Sequence, residues 1–217
     1  MSPITYIRRH PSAGLLFVQL LGVLLYPWME DTQIGRALFG AFGVLVLGMA
    51  LHVVKRSPAQ AWVAGVLAVL VVGLTLLDVV TASLLLEALI SVLEAAFYFY
   101  ATASLIAYMS ADLHASTDEL YAVGATFTLL AWAFAHLYTF CQLLVPGSFG
   151  AAIEPEAART WMELLYLSFT TLSGVGLSDI TPLTPVARSL VMIEQFAGVM
   201  YLALVVSRLI AMTVAKR

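Results

Sequence analysis

Apolar residues gather into six stretches along the chain, at 11–28, 37–54, 61–77, 83–109, 120–145 and 185–212, with polar clusters between them. Their lengths scatter around the roughly 20 residues a helix needs to cross about 30 Å of hydrocarbon, so each predicts a membrane span. The fourth stretch is long enough for two short helices, but no proline or glycine breaks it, and one helix is predicted. Only one connection is long, at 146–184. It opens on Pro146-Gly147-Ser148, a helix stop, and carries the acidic turn Glu154-Pro155-Glu156. Residues 160–171, TWMELLYLSFTT, then form an amphipathic run too short to cross a bilayer. A helix of that length persists at membrane depth only where protein or water meets its ends, so a re-entrant helix is predicted.

Composition agrees with this pattern. The 217 residues are 62% hydrophobic and 11% charged, with a mean hydropathy of +0.97, far from the balance of a soluble domain. An all-α integral membrane protein follows. The net charge of −3 and the lack of a basic stripe give no electrostatic case for nucleic acid. Cys141 is the single cysteine, which excludes an intrachain disulfide and a cysteine metal site, and it reads as a small apolar filler. Arg8 and Arg9 precede the first stretch as in a signal peptide, but Tyr26-Pro27-Trp28-Met29-Glu30 is no cleavage site, so an uncleaved first span is expected. With six spans, Arg8, Arg9, Lys55, Arg56, Lys216 and Arg217 share one side, and Arg36 and Arg159 the other. The positive-inside bias then puts both termini in the cytoplasm and the long connection outside. No phosphate loop, metal-binding His/Cys cluster or nucleophile–histidine pair is present, and no enzyme is expected.

After the short helix come Ser173, Gly174, Val175, Gly176, Leu177, Ser178 and Asp179. Glycine reaches positive φ at little cost, so backbone carbonyls here can be turned to one side. A ring of such carbonyls replaces the hydration shell of a cation. The carbonyl end of the preceding helix adds partial negative charge. The candidate site is therefore backbone, with a cation as its ion and no organic cofactor.

The order of elements from about 120 to 211 resembles the pore domain of the potassium channel superfamily: span, short helix, glycine-bearing strand, Asp179-Ile180-Thr181-Pro182, span. The likeness lies in LLYLSFTTLSGVGLSDITPLTPVARSL and MIEQFAGVMYLALVVSRLIAM. The whole chain is similar to small bacterial six-span members, which implies a four-helix voltage-sensor-like domain at 1–116 and a two-helix pore domain at 117–217. The resemblance also implies a homotetramer in a cell membrane, the bacterial inner membrane, that passes monovalent cations passively. Matching both flanks without a gap lays the family filter, Thr-Val-Gly-Tyr-Gly-Asp, on Gly174 to Asp179. Val175, Gly176 and Asp179 agree. Gly174 lacks the threonine hydroxyl, Leu177 cannot donate the tyrosine hydrogen bond that braces the filter, and Ser178 replaces the second glycine. If that position needs left-handed geometry, serine costs roughly 1–2 kcal/mol. A shifted register would pair Gly174 with Gly176 and leave Leu177 and Ser178 inserted. Either way, relaxed selectivity is expected.

Gly198 stands where the family's inner helix bends, with close helix packing as its other reading. Glu194, one turn earlier, is assigned to filter support with Trp161, either holding cations near the pore or serving as a hydrogen-bonded brace. Asp78, Glu87 and Glu94 form a candidate intramembrane acidic site, and Glu87 and Glu94, seven apart, share a helix face. They line a crevice, relay protons or sit protonated near Ser83, Ser91 and Thr102. His136 reads as a packed residue, and Arg208 as a snorkelling one. The stretch 83–109 holds no lysine or arginine, so weak voltage dependence is expected, with no cytosolic ligand domain. Two alternatives differ in class: a secondary transporter coupled through Glu87 and Glu94, and a non-conducting scaffold. The first usually shows internal repeats, which are not seen here.

Overall fold

The computed structural model describes residues 9–29, 33–55, 59–110 and 116–215. Its helices are α1 (Pro11–Met29), α2 (Gln33–Val54), α3 (Ala61–Thr81), α4 (Leu84–Met109), α5 (Thr117–Leu144), α6 (Trp161–Leu172) and α7 (Pro185–Ala215). Two short strands interrupt them, β1 (Phe149–Ala151) and β2 (Ile180–Pro182). Five helices among the described residues are long and apolar enough to cross a membrane: α1, α3, α4, α5 and α7. The sixth predicted span is α2, whose described apolar part is Phe42–Val54. The protein is an all-α, multi-pass membrane protein. Arg8, Arg56, Lys216 and Arg217, which carry most of the orientation argument, lie outside the described residues.

Local chemistry moves several helix ends beyond their apolar stretches. α5 starts at Thr117 because the Ser116 hydroxyl accepts the Glu119 N–H, and Asp118 and Glu119 favour the positive end of the helix. α3 runs on to Thr81 and stops where Ala82 takes φ 45°. Asp78 spans that corner by accepting the Ser83 N–H at 3.1 Å. α7 opens on Pro185 after Thr184, whose hydroxyl accepts the Ala187 N–H at 3.3 Å.

The chain divides into two compact units. One comprises the described residues up to Val72 with Tyr100–Leu129, the other Gly73–Phe99 with those from Leu130 on. The division runs through α3, α4 and α5. In the first unit α1 packs along α2, and a Cβ on Gly22 would strike the Phe42 ring. Asp118 ties the start of α5 to that of α1, accepting the Ser12 N–H at 3.1 Å and its hydroxyl at 3.0 Å. Deeper, Thr128 donates to Gln19 Oε1 at 2.7 Å. Hydrocarbon gives helices no hydrophobic reason to associate, so close approach and buried polar contacts of this kind hold them.

The second unit contains α6, α7 and the ribbon. β1 and β2 pair antiparallel, Phe149 opposite Pro182, Gly150 opposite Thr181 and Ala151 opposite Ile180. The pairing continues through the Leu183 N–H to the Ser148 carbonyl at 2.8 Å. The pattern of polar and apolar positions did not announce this ribbon. It joins the segment after α5 to the segment after the glycines, and so anchors both.

Candidate functional site

α6 is fixed at its start by a reciprocal cap. Thr160 accepts the Glu163 N–H, and the Glu163 carboxylate accepts the Thr160 N–H at 2.6 Å, which satisfies two donors that a helix leaves orphaned. Arg159, 5% exposed, secures the preceding loop. Its guanidinium donates to the carbonyls of Ile153, Glu154 and Ala157 and pairs with Glu163 at 3.2 Å. Its backbone exchanges two hydrogen bonds with the Gln142 amide of α5, at 2.7 and 3.0 Å.

At its other end, α6 is closed by the segment that follows it. The Ser173 N–H donates to the Phe169 carbonyl, the Gly174 N–H to Thr171 and the Gly176 N–H to Thr170, at 3.0–3.1 Å. Gly174 and Gly176 hold φ of 73° and 68° to make these turns, a region where an L side chain is strained. There are no cis peptides among the described residues. In a trans peptide the carbonyl points opposite to the N–H of the next residue. The Ser173 and Val175 carbonyls therefore point away from α6. Leu177 behaves in the opposite way: its carbonyl accepts the Tyr166 hydroxyl of α6 at 2.5 Å. Ser178 then accepts the Ile180 N–H on its own hydroxyl at 3.1 Å. Val175 and Leu177 are exposed, 60% and 72%, as are Gly174, Gly176 and Asp179.

Behind this segment lies a buried polar knot. Glu194 of α7 is fully buried. Tyr138 of α5 donates to its Oε2, and Ser168 of α6 is hydrogen-bonded to its Oε1. Ser168 also contacts the Ala131 carbonyl of α5 at 2.9 Å. One carboxyl group thus links three helices. One turn on, Gly198 faces the last residue of α6, and a Cβ there would meet the Leu172 carbonyl oxygen and carbon.

Residues 66–215, well over half of the chain, match a family model described as an ion channel. The chain belongs to the potassium channel superfamily. No curated protein and no solved structure matches it.

Several sequence expectations change here. Left-handed geometry falls at Gly174 and Gly176, not at Ser178, so serine carries no backbone cost, and a threonine at 174 would be strained. The glycine conformations are those of the shifted pairing, although the flanks still align without a gap. Leu177 has no hydroxyl, yet its peptide is braced, because Tyr166 donates from α6. Glu194 is hydrogen-bonded to Tyr138 and Ser168. Trp161 stands in the first turn of α6, about 16 Å along the axis from Leu172. It packs edge-on against Trp132 at 5.1 Å and near His136 at 5.4 Å, so it supports the start of α6 and not its glycine end. Gly198 lies within the unbroken helix α7, where its role is close packing.

Asp78, Glu87 and Glu94 make different contacts. Asp78 caps the α3–α4 corner. Glu87 is exposed in the first turn of α4. Glu94 meets His136 Nδ1 at 2.9 Å, and that ring stacks on Tyr98 at 5.5 Å. His136 is thus both packed and paired, and Glu94's partner is not among the polar neighbours expected from sequence. Tyr138, Ser168 and Tyr166 were missed. The signal for the first two was indirect: a carboxyl within a span needs hydroxyl donors on neighbouring helices, but spacing along the chain does not say which.

Gly198→Ala tests the close approach of α7 to α6. The added methyl meets backbone, which cannot rotate away, so a loss of roughly 1–3 kcal/mol per chain is expected. Thermal unfolding in detergent would measure it. A melting temperature equal to that of Gly73→Ala, whose methyl meets nothing within 4 Å, would refute the contact.

Proposed function

We propose that the protein is the pore-forming subunit of a homotetrameric cation channel, with residues 173–179 as its selectivity filter. The observation that carries this reading is the peptide geometry after α6. Alternate amides turn back to the pore helix, and the Ser173 and Val175 carbonyls face away from it on an exposed strand. Such oxygens complete a cation's coordination only when other copies supply the rest of the ring. Cyclic symmetry is the common solution for identical subunits, and four copies fit the family. Asp179, exposed beyond the carbonyls, adds negative charge at the outer mouth and disfavours anions.

Potassium or sodium is the cargo, the surroundings are lipids of a cell membrane, and transport is passive, without enzyme chemistry, organic cofactor or nucleic acid. Residues 1–116 act as the voltage-sensor-like domain and 117–217 as the pore domain, with both termini cytoplasmic. Discrimination of potassium from sodium is modest, since Gly174 contributes no hydroxyl to the innermost site. Voltage dependence is weak. Moving a charge through 100 mV is worth about 2.3 kcal/mol, and α4 holds neither lysine nor arginine to move.

Purified protein in planar bilayers, measured under bi-ionic potassium/sodium conditions, tests this together with native mass spectrometry. Expected are a tetramer, currents reversing near the cation potentials, a small shift between the two cations and little change of open probability with voltage. Only monomers or dimers, anion currents or no currents would overturn the function. Strong potassium selectivity or steep activation would overturn those parts alone.

A further inference from the structure

We propose that Tyr166 tunes ion selectivity by holding the Leu177 carbonyl away from the permeant cation. This deepens the filter reading above and rests on it. The Ser173 and Val175 carbonyls point away from the pore helix because the following amides bond to it. The Leu177 carbonyl would extend that series outward. Instead its oxygen is 2.5 Å from the Tyr166 hydroxyl, at the short end of O–H···O hydrogen bonds, and an oxygen directed at the pore helix is turned from the side its predecessors face. The Leu177 side chain correspondingly takes the open side, 72% exposed. The segment beyond cannot compensate by drifting. Ser178 is tied to the Ile180 N–H, and Ile180 is paired with Ala151 in the ribbon. The peptide is thus held from both ends, and one phenol proton sets which way its oxygen points. Tyr166 is a positioning residue: it touches the filter backbone, not the ion. Fewer oxygens around the cation weaken the preference for potassium over sodium.

Tyr166→Phe keeps the ring and removes only the donor. The released carbonyl gains access to the ion path. The expected result is a potassium-to-sodium permeability ratio above that of wild type. The test uses the full-length chain, wild type and Tyr166→Phe, in planar bilayers under bi-ionic conditions. A second readout does not need conduction: thermal unfolding of each protein in detergent, in potassium and then in sodium chloride. A cation bound to the folded state raises the melting temperature. Similar stabilisation by both salts is expected for wild type, and a larger potassium effect for Tyr166→Phe. An unchanged or lower permeability ratio in the variant, with wild type conducting cations, overturns the inference and leaves the channel reading intact. If wild type conducts no cations, the channel reading fails, and the inference falls with it. Equal salt effects in both proteins also overturn it.

Discussion

Glu194→Ala is expected to leave little folded, assembled channel in detergent, whereas Glu194→Gln retains most of it. Alanine removes the group to which both the Tyr138 and Ser168 hydroxyls are bonded, at a position with no exposed surface. Ser168 keeps its bond to the Ala131 carbonyl, but the Tyr138 hydroxyl is left without its partner, at a cost of about 1–3 kcal/mol per chain before any cavity is counted. Little water is available at such depth to take over the bond. The knot also joins α5, α6 and α7, so its loss unties α7 from both Tyr138 of α5 and Ser168 of α6. Glutamine preserves the shape, accepts from Tyr138 and still bonds to Ser168. Size-exclusion chromatography and thermal unfolding of the three proteins measure the difference. If Glu194→Ala matches wild type in yield and melting temperature, the carboxyl is not the link described above.

Gly176→Ala is expected to abolish normal conduction while leaving the fold of each subunit largely intact. A methyl at this position meets nothing within 4 Å, so sterics with neighbours contribute nothing. What remains is the backbone, at φ 68°. Left-handed geometry costs an L residue roughly 1–2 kcal/mol, which in the proposed tetramer comes to roughly 4–8 kcal/mol per channel. The strand escapes this strain by giving up the Gly176 N–H bond to Thr170, which turns the Val175 carbonyl out of line. Gly174→Ala should behave alike, at φ 73°. Gly73→Ala is the control, because the same methyl in a helix with open space is neutral or stabilising. Single-channel recordings would decide. Unit conductance and reversal potential of Gly176→Ala equal to those of Gly73→Ala would show that the positive φ has no part in permeation.

Much of the fold is legible along the chain because a bilayer makes strong demands on sequence. A helix must satisfy its own backbone and offer lipid an apolar surface, so each span writes itself as about 20 apolar residues. The spans at 61–77 and 83–109 became α3 and α4 for that reason, and their ends shifted only where Asp78 or Ala82 intervened. The short helix α6 was legible too: Thr160 and Glu163 stand at capping-box spacing, and a 12-residue helix follows. The β1–β2 ribbon was not. Three-residue strands carry too little pattern, and their pairing joins residues about thirty apart.

The glycine segment divides in the same way. Two glycines between a short helix and a span already pointed to backbone as the candidate functional group at 173–179. Which carbonyls face which way depends on hydrogen bonds to residues elsewhere. The Thr170 and Thr171 carbonyls take the Gly176 and Gly174 amides, and Tyr166 takes the Leu177 oxygen. The loss of tyrosine at 177 read as a lost brace, because sequence comparison weighs one position at a time, while a hydrogen bond can be supplied from either partner's side. Glu194 was recognisable as a carboxyl that needs donors, but Tyr138 is 56 residues from it and Ser168 is 26.

The sequence by itself determined the membrane class, the long apolar helices, the short helix and the position of the glycine segment, because these follow from periodicity, length and backbone freedom, all local properties. The tertiary structure alone decided which hydroxyls meet Glu194, which neighbour Gly198 makes room for, that Glu94 pairs with His136, and which way the Ser173, Val175 and Leu177 carbonyls are turned. Those are contacts between residues far apart in the chain. Their partners are selected by helix packing, and no spacing within one segment encodes it.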